Sequence, residues 1–90
     1  MAIHILISVY DESISTEQFD SFDAARAKMM EELGDELIRY GEEDEWNEVK
    51  DLEAFSNEEV GYYGYGFSKD CASCYIDHKC SCQWQIVEVK

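Results

Sequence analysis

Residues 2–10 read AIHILISVY, and their alternation decides how the chain begins. Ile3, Ile5, Ile7 and Val9 share one face; His4, Leu6, Ser8 and Tyr10 share the other. β-Branched residues at period two specify a strand, because an extended chain points successive side chains to opposite sides. The polar stretch Asp11–Gln18 is expected to leave that strand as a loop. The period then changes. Phe22, Ala25, Met29, Leu33, Leu37 and Tyr40 recur at spacings of three and four, the single apolar stripe of a helix. Ser21 is placed to cap its start, and Asp23 suits the positive N-terminal end. Gly41 suits the C-terminal cap, while Gly34 weakens the middle and marks a point where the helix would split.

Beyond Gly41 the pattern predicts a second short helix over Glu42–Phe55. There Trp46, Val49, Leu52 and Phe55 repeat every three residues and most other positions are acidic. The stretch GYYGYGF at 61–67 places Tyr63, Tyr65 and Phe67 on one face of an extended segment, with Gly64 and Gly66 on the other. It reads as an edge strand whose aromatics cover glycines or a partner. Cys71–Asp77 and Cys82–Val89 read as two strands joined by a short turn near His78 and Lys79. In the last strand Trp84 and Ile86 face one way, Val87 and Val89 the other, so both faces are expected to meet something apolar. The fold expected over residues 1–90 is a single α+β domain. It has a small, mainly antiparallel sheet of about three to four strands, order β-α-(α)-β-β-β, with one or two helices packed on one face.

The opening IHILISVYDE, the segment FDSFDAARAKMMEEL and the closing WQIVEVK resemble small, acidic, uncharacterised bacterial proteins of mobile elements and prophages. That resemblance implies a cytosolic accessory protein and carries no catalytic residues with it. The chain has no run long enough to span a membrane and no basic, apolar secretory start, so a cytoplasmic location is expected. Hydrophobic content of 46% and aromatic content of 13% give it enough apolar surface to fold in spite of its charge.

That charge is concentrated. Residues 31–60 carry 13 of the 21 Asp and Glu but only two of the seven Lys and Arg, so eleven of the fourteen net negative charges lie in the middle third. Such a segment repels nucleic acid and anionic membrane and attracts basic protein surfaces. Were residues 22–56 largely helical, about 30 of them would run roughly 45 Å and carry one net charge every ~4 Å, against a phosphate every ~3.4 Å on a DNA strand. This makes DNA mimicry a physical proposal. The expected function is a non-enzymatic interaction protein that binds a basic surface of a nucleic-acid-binding protein, as antirestriction or anti-CRISPR inhibitors do. Glu31, Glu32, Asp35, Glu36, Glu42, Glu43, Asp44 and Glu45 are the expected contacts, with Trp46 or Tyr62 as an apolar anchor. The bland alternative is a solvated acidic face that keeps a small protein soluble.

The cysteines offer a second reading. Cys71, Cys74, His78, Cys80 and Cys82 put five soft ligands within twelve residues. Cys71, Cys74, His78 and Cys82 give C-x2-C-x3-H-x3-C, which resembles the zinc knuckle C-x2-C-x4-H-x4-C with both later gaps one residue short. The four cysteines alone give C-x2-C-x5-C-x-C. A small module stabilised by structural zinc, binding through its C-terminal hairpin, is therefore the alternative to the acidic docking protein. Reduced thiols packed as small apolar residues, and disulfides, remain open beside it.

No reaction is signalled. GYYGYG lacks the spacing and the following helix of a dinucleotide fingerprint. The run Glu42-Glu43-Asp44-Glu45 lacks the spacing of a calcium loop. His4, among isoleucines, reads as a buried hydrogen-bonded imidazole, and no nucleophile-and-base set is present. The Tyr62–Phe67 aromatics leave a third possibility, a small-molecule site. The crowded carboxylates repel one another, so salt is expected to stabilise the fold. Thermal melts should move to higher temperature between low and moderate salt; melts that stay put would contradict this.

Overall fold

The computed structural model describes residues 3–59, 63–76 and 80–89, with the side chains of 57–59, 63, 76 and 80 left aside. Two strands open the chain, β1 (Ile3–Tyr10) and β2 (Ser13–Phe19), followed by helices α1 (Phe22–Arg39) and α2 (Glu43–Val49). Four strands close it: β3 (Phe55–Glu59), β4 (Tyr63–Phe67), β5 (Cys71–Ile76) and β6 (Cys80–Val89). All strands join one antiparallel sheet in the order β2-β1-β6-β5-β4-β3. The class is α+β as expected, but the sheet has six strands rather than three or four.

The two additional strands lie where the sequence reads as loop or helix. β2 takes most of the stretch Asp11–Gln18 that looks like a loop. It is an exposed edge strand, SISTEQF, and its ladder to β1 holds it in place without any apolar alternation of its own. Asp11 starts the turn with φ 53°, a conformation that Asp tolerates better than most residues. Its N–H donates to Ser81 O at 2.8 Å, and its carboxylate accepts the Ser81 N–H at 3.0 Å, so the hairpin is also tied to β6. β3 begins at Phe55, the last residue of the three-residue repeat that suggests a helix running from Glu42 to Phe55. α2 stops at Val49 instead. Leu52 is 49% exposed, and Phe55 packs on the rings of Tyr65 and Phe67.

α1 is capped at both ends as its sequence predicts. The Ala24 N–H donates to Ser21 Oγ at 3.1 Å. At the other end Gly41 adopts φ +88°, the Glu42 N–H donates to Leu37 O at 2.9 Å, and the Gly41 N–H donates to Ile38 O at 3.1 Å. Those paired bonds make a Schellman cap, which needs a left-handed residue and turns the chain back towards α2. Gly34 does not split α1. It gives the indole of Trp46 a place to lie: a Cβ on Gly34 would stand 2.5 Å from Trp46 Nε1.

Both helices cover the same face of the sheet. Ala25, Met29, Leu33 and Leu37 of α1 are wholly buried against Leu6, Trp84, Ile86 and Ala72. Trp46 and Val49 of α2 extend that core towards Phe67, whose ring meets Trp46 edge-on at 5.9 Å. β4 is an interior strand between β5 and β3, not an edge strand. Its Tyr65 and Phe67 belong to the core, 2% and 4% exposed. Arg26 ties α1 to two turns: Nε donates to Lys69 O at 3.1 Å, and Nη2 to Glu53 O at 3.2 Å and Ser68 O at 3.4 Å.

The Gly34–Trp46 contact has a measurable consequence. Gly34→Ala gains up to about 1 kcal/mol of helix propensity but overpacks a buried indole at a cost of about 1–3 kcal/mol. The variant should melt several degrees lower than the parent chain, whereas a higher melting temperature would show that the indole moves aside freely.

Candidate functional site: the acidic helical layer

The apolar stripe of α1 faces the sheet, so its carboxylates are turned outward or to the flanks. Glu31 and Asp35 of α1 are exposed, as are Glu43, Asp44 and Glu48 of α2 and Asp51 and Glu53 just beyond it. The Schellman turn folds α2 back beside α1, giving two acidic rows of roughly 27 Å and 10 Å in place of a single helix of ~45 Å. Glu43, Asp44 and Glu45 fill the first turn of α2, where the positive end of the helix dipole partly offsets their repulsion. Basic residues thin the layer: Lys28 Nζ lies 4.0 Å from Glu31, Arg39 Nη1 lies 3.3 Å from Glu36, and Lys50 stands exposed at the end of α2.

Four of the expected contacts, Glu31, Asp35, Glu43 and Asp44, are therefore presented to solvent. Glu32, Glu42 and Glu45 are half-buried. Glu36 is 6% exposed and paired with Arg39, which removes it from the contact set. Trp46 is also removed as a surface anchor, because its indole is spent on Gly34 and Phe67 inside the core. Tyr62 lies outside the described residues. Burial and then the neighbouring Glu45 carboxylate push the Tyr65 phenol above its ordinary value, so Glu45 is engaged with the core edge as well as with solvent.

Sequence reading gives no hint of a polar cluster beneath α1. Glu32 of α1, Tyr10 of β1 and Trp84 of β6 come from distant parts of the chain, and only the sheet order brings them together. The Tyr10 ring meets the Trp84 ring edge-on at 5.7 Å. Burial holds the Glu32 carboxyl above the usual carboxylate range, against the pull of Lys28. Burial and then Glu32 push the Tyr10 phenol up to about 12.

The cysteines separate. Cys74 and Cys82 face each other across β5 and β6 on the helix side, each 2% exposed. Cys71 is three residues from Cys74 on the same strand, so it stands on the opposite face, where the Ser68 hydroxyl lies 3.0 Å from its sulfur. Both predicted zinc sets need Cys71 and Cys74 on one metal and do not fit this arrangement. His78 and the side chain of Cys80 lie outside the described residues, and among the described residues no group of three or more His, Cys, Asp or Glu is gathered as a metal would require. His4 is half-buried rather than buried: its ring meets Phe22 edge-on at 5.9 Å, and Nδ1 is enclosed with no hydrogen-bond partner.

Among the described residues no helix is long and apolar enough to cross a membrane. No family model matches the chain, and neither a curated protein nor a solved structure matches it.

The Glu32 cluster yields a pH prediction with a definite sign. A carboxyl whose folded value is raised takes up its proton more readily in the folded state, so its contribution favours folding at low pH and is lost as pH rises through the folded value. Glu32→Gln removes a charge that burial disfavours at neutral pH. The variant should melt above the parent at pH 7, with the gap closing as the pH falls towards 4. A parent that melts higher at pH 7 would show that the Glu32 carboxylate makes compensating bonds.

Proposed function

We propose that the protein is a non-enzymatic docking protein whose acidic helical layer binds a basic surface on a nucleic-acid-binding protein. The observation that carries this reading is the one-sidedness of the charge. Exposed carboxylates crowd α1, α2 and the turn after them, while the described side chains of β2, β1, β6 and β5 on the opposite face of the sheet are uncharged. A field built this way orients the molecule as it approaches a cationic partner and accelerates encounter, and salt weakens it. Two short rows side by side suit a compact basic patch or a segment of a DNA-binding groove better than a long linear track. An inhibitor that occupies such a groove, in the manner of antirestriction or anti-CRISPR proteins, is the form of the proposal that keeps DNA mimicry.

The test reverses the four outward carboxylates together, Glu31→Lys, Asp35→Lys, Glu43→Lys and Asp44→Lys, which moves the net charge from −14 to −6 because each change adds two. The parent chain should capture a basic nucleic-acid-binding protein from lysate at low salt, release it at high salt and compete with duplex DNA for it. The reversed chain, checked by circular dichroism to be folded, should bind the captured partner about tenfold or more weakly. Undiminished capture by the reversed chain would remove the acidic layer as the interface. Capture without DNA competition would remove the mimicry.

A further inference from the structure

The sheet has a second face that none of the described elements covers. The thinnest dimension of the fold is 19 Å across Cα atoms, enough for one sheet and one layer of helices at the usual spacing of about 10 Å and no third layer. On the uncovered face the register sets Ile3 beside Val89 and Ile5 beside Val87, with Ile7 and Val9 continuing the row along β1. Ile14 on β2 stands next to Val9 and is 72% exposed; Ile3, Val87 and Val89 are 40%, 40% and 45% exposed. Contiguous β-branched side chains open to water across three neighbouring strands of a sheet are unusual for a monomer and mark an interaction surface.

We propose that this face is covered by a second copy of the same chain, packed sheet on sheet about a two-fold axis. Three observations select that occupant.

The first is charge. From β2 through β1 and β6 to β5 no described side chain on the face is charged, in a chain of net charge −14, so this part of the face is complementary to an uncharged surface like itself.

The second is relief. Large side chains stand over β1 and the end of β6. Over β4 and β5, Gly66 and Ser73 leave a mostly apolar hollow of about 430 Å³, bounded by Ile7, Val9, Gln83 and Gln85. A cavity beside a ridge on one face is the self-complementary pattern that a two-fold axis satisfies, each ridge entering the other copy's hollow.

The third is area. Six strands about 4.8 Å apart, with central strands of some 25 Å, give a footprint of roughly 600 Å² per chain. The total of about 1,200 Å² is at the lower bound for stable specific interfaces.

The acidic layers do not oppose this packing. Sheet-on-sheet contact places them on the two outer surfaces of the dimer. One sheet-to-sheet spacing and two sheet-to-helix spacings hold the helix layers about 30 Å apart, more than three Debye lengths at physiological salt. The dimer therefore presents two acidic walls facing outward, each free to dock. The inference does not rest on what those walls bind.

Sedimentation velocity of the full chain over a range of concentrations tests it. A species of twice the 10.5 kDa chain mass is expected, unchanged or strengthened by added salt. Val87→Lys puts a charge at the middle of the ridge and Ile14→Lys puts one at its rim, both at positions already exposed, so the fold is expected to survive and is checked by circular dichroism. Val87→Lys should weaken the dimer about tenfold or more, and Ile14→Lys less. The four-fold helix reversal should leave dimerisation intact, which separates this result from failure of the docking proposal. A parent chain that sediments as a monomer at all concentrations overturns the inference, whatever the variants do. So does a dimer that tolerates Val87→Lys.

Discussion

β1 and β6 pair antiparallel from Ile3 opposite Val89 to Tyr10 opposite Cys82, and the first and last strands of the chain thereby meet inside the sheet. On one side of this pair hangs the β1–β2 hairpin; on the other, the meander from β6 back to β3. Without the pairing these two pieces would share only the helical layer. With it, Leu6 lies beside Ile86 and Ser8 beside Trp84, and the combined surface is broad enough to bury the stripe of α1. Closing a loop of nearly the whole chain is entropically costly, although that cost grows only with the logarithm of length. The aliphatic and aromatic burial beneath α1 offsets it.

Covering one face follows from the same pairing. α1 and α2 lie on the path from β2 at one edge of the sheet to β3 at the other, so the only helices in the described chain cross the same side. Their outer surfaces must take the carboxylates, since the inner surfaces are filled by Ala25, Met29, Leu33, Leu37, Trp46 and Val49. The polarity of the molecule, acidic on its helical side and uncharged on the described side chains of β2, β1, β6 and β5 that face the other way, is thus a consequence of topology combined with where the acids occur in the chain. Gly34 and Gly41 sharpen it. The first lets Trp46 draw α2 close to α1, and the second turns the chain so that the rows of acids lie side by side.

Elements whose residues carry their own periodicity were legible without coordinates. β1, α1 with both caps, β5 and β6 emerge from spacing alone, because burying one face of a strand or helix imposes period two or about 3.6 on its side chains. β2 and β3 were not legible. Apart from Ile14, Phe19 and Phe55 their residues are polar, and they are strands because a neighbour offers hydrogen bonds along a ladder. Trp46 illustrates the same limit at the candidate site. As a large aromatic in an acidic run it looks like a surface anchor, yet the notch at Gly34 takes it inside. Glu36 likewise belongs by sequence to the acidic wall and is withdrawn from it by burial beside Arg39.

Composition by itself determined that this chain folds, that its middle third is strongly anionic and that helices carry most of those charges, since each of these depends on residues close together in the sequence. Only the tertiary structure decided which face of β1 became the core. The alternation of Ile3, Ile5, Ile7 and Val9 with His4, Leu6, Ser8 and Tyr10 permits either, and the more aliphatic set is the one left uncovered. The choice follows from Trp84, Ile86, Tyr65 and Phe67, which align through strand register with Leu6 and present the larger combined apolar surface to α1. Register is a long-range property, and a strand cannot specify by its own pattern which of its two faces its neighbours will share.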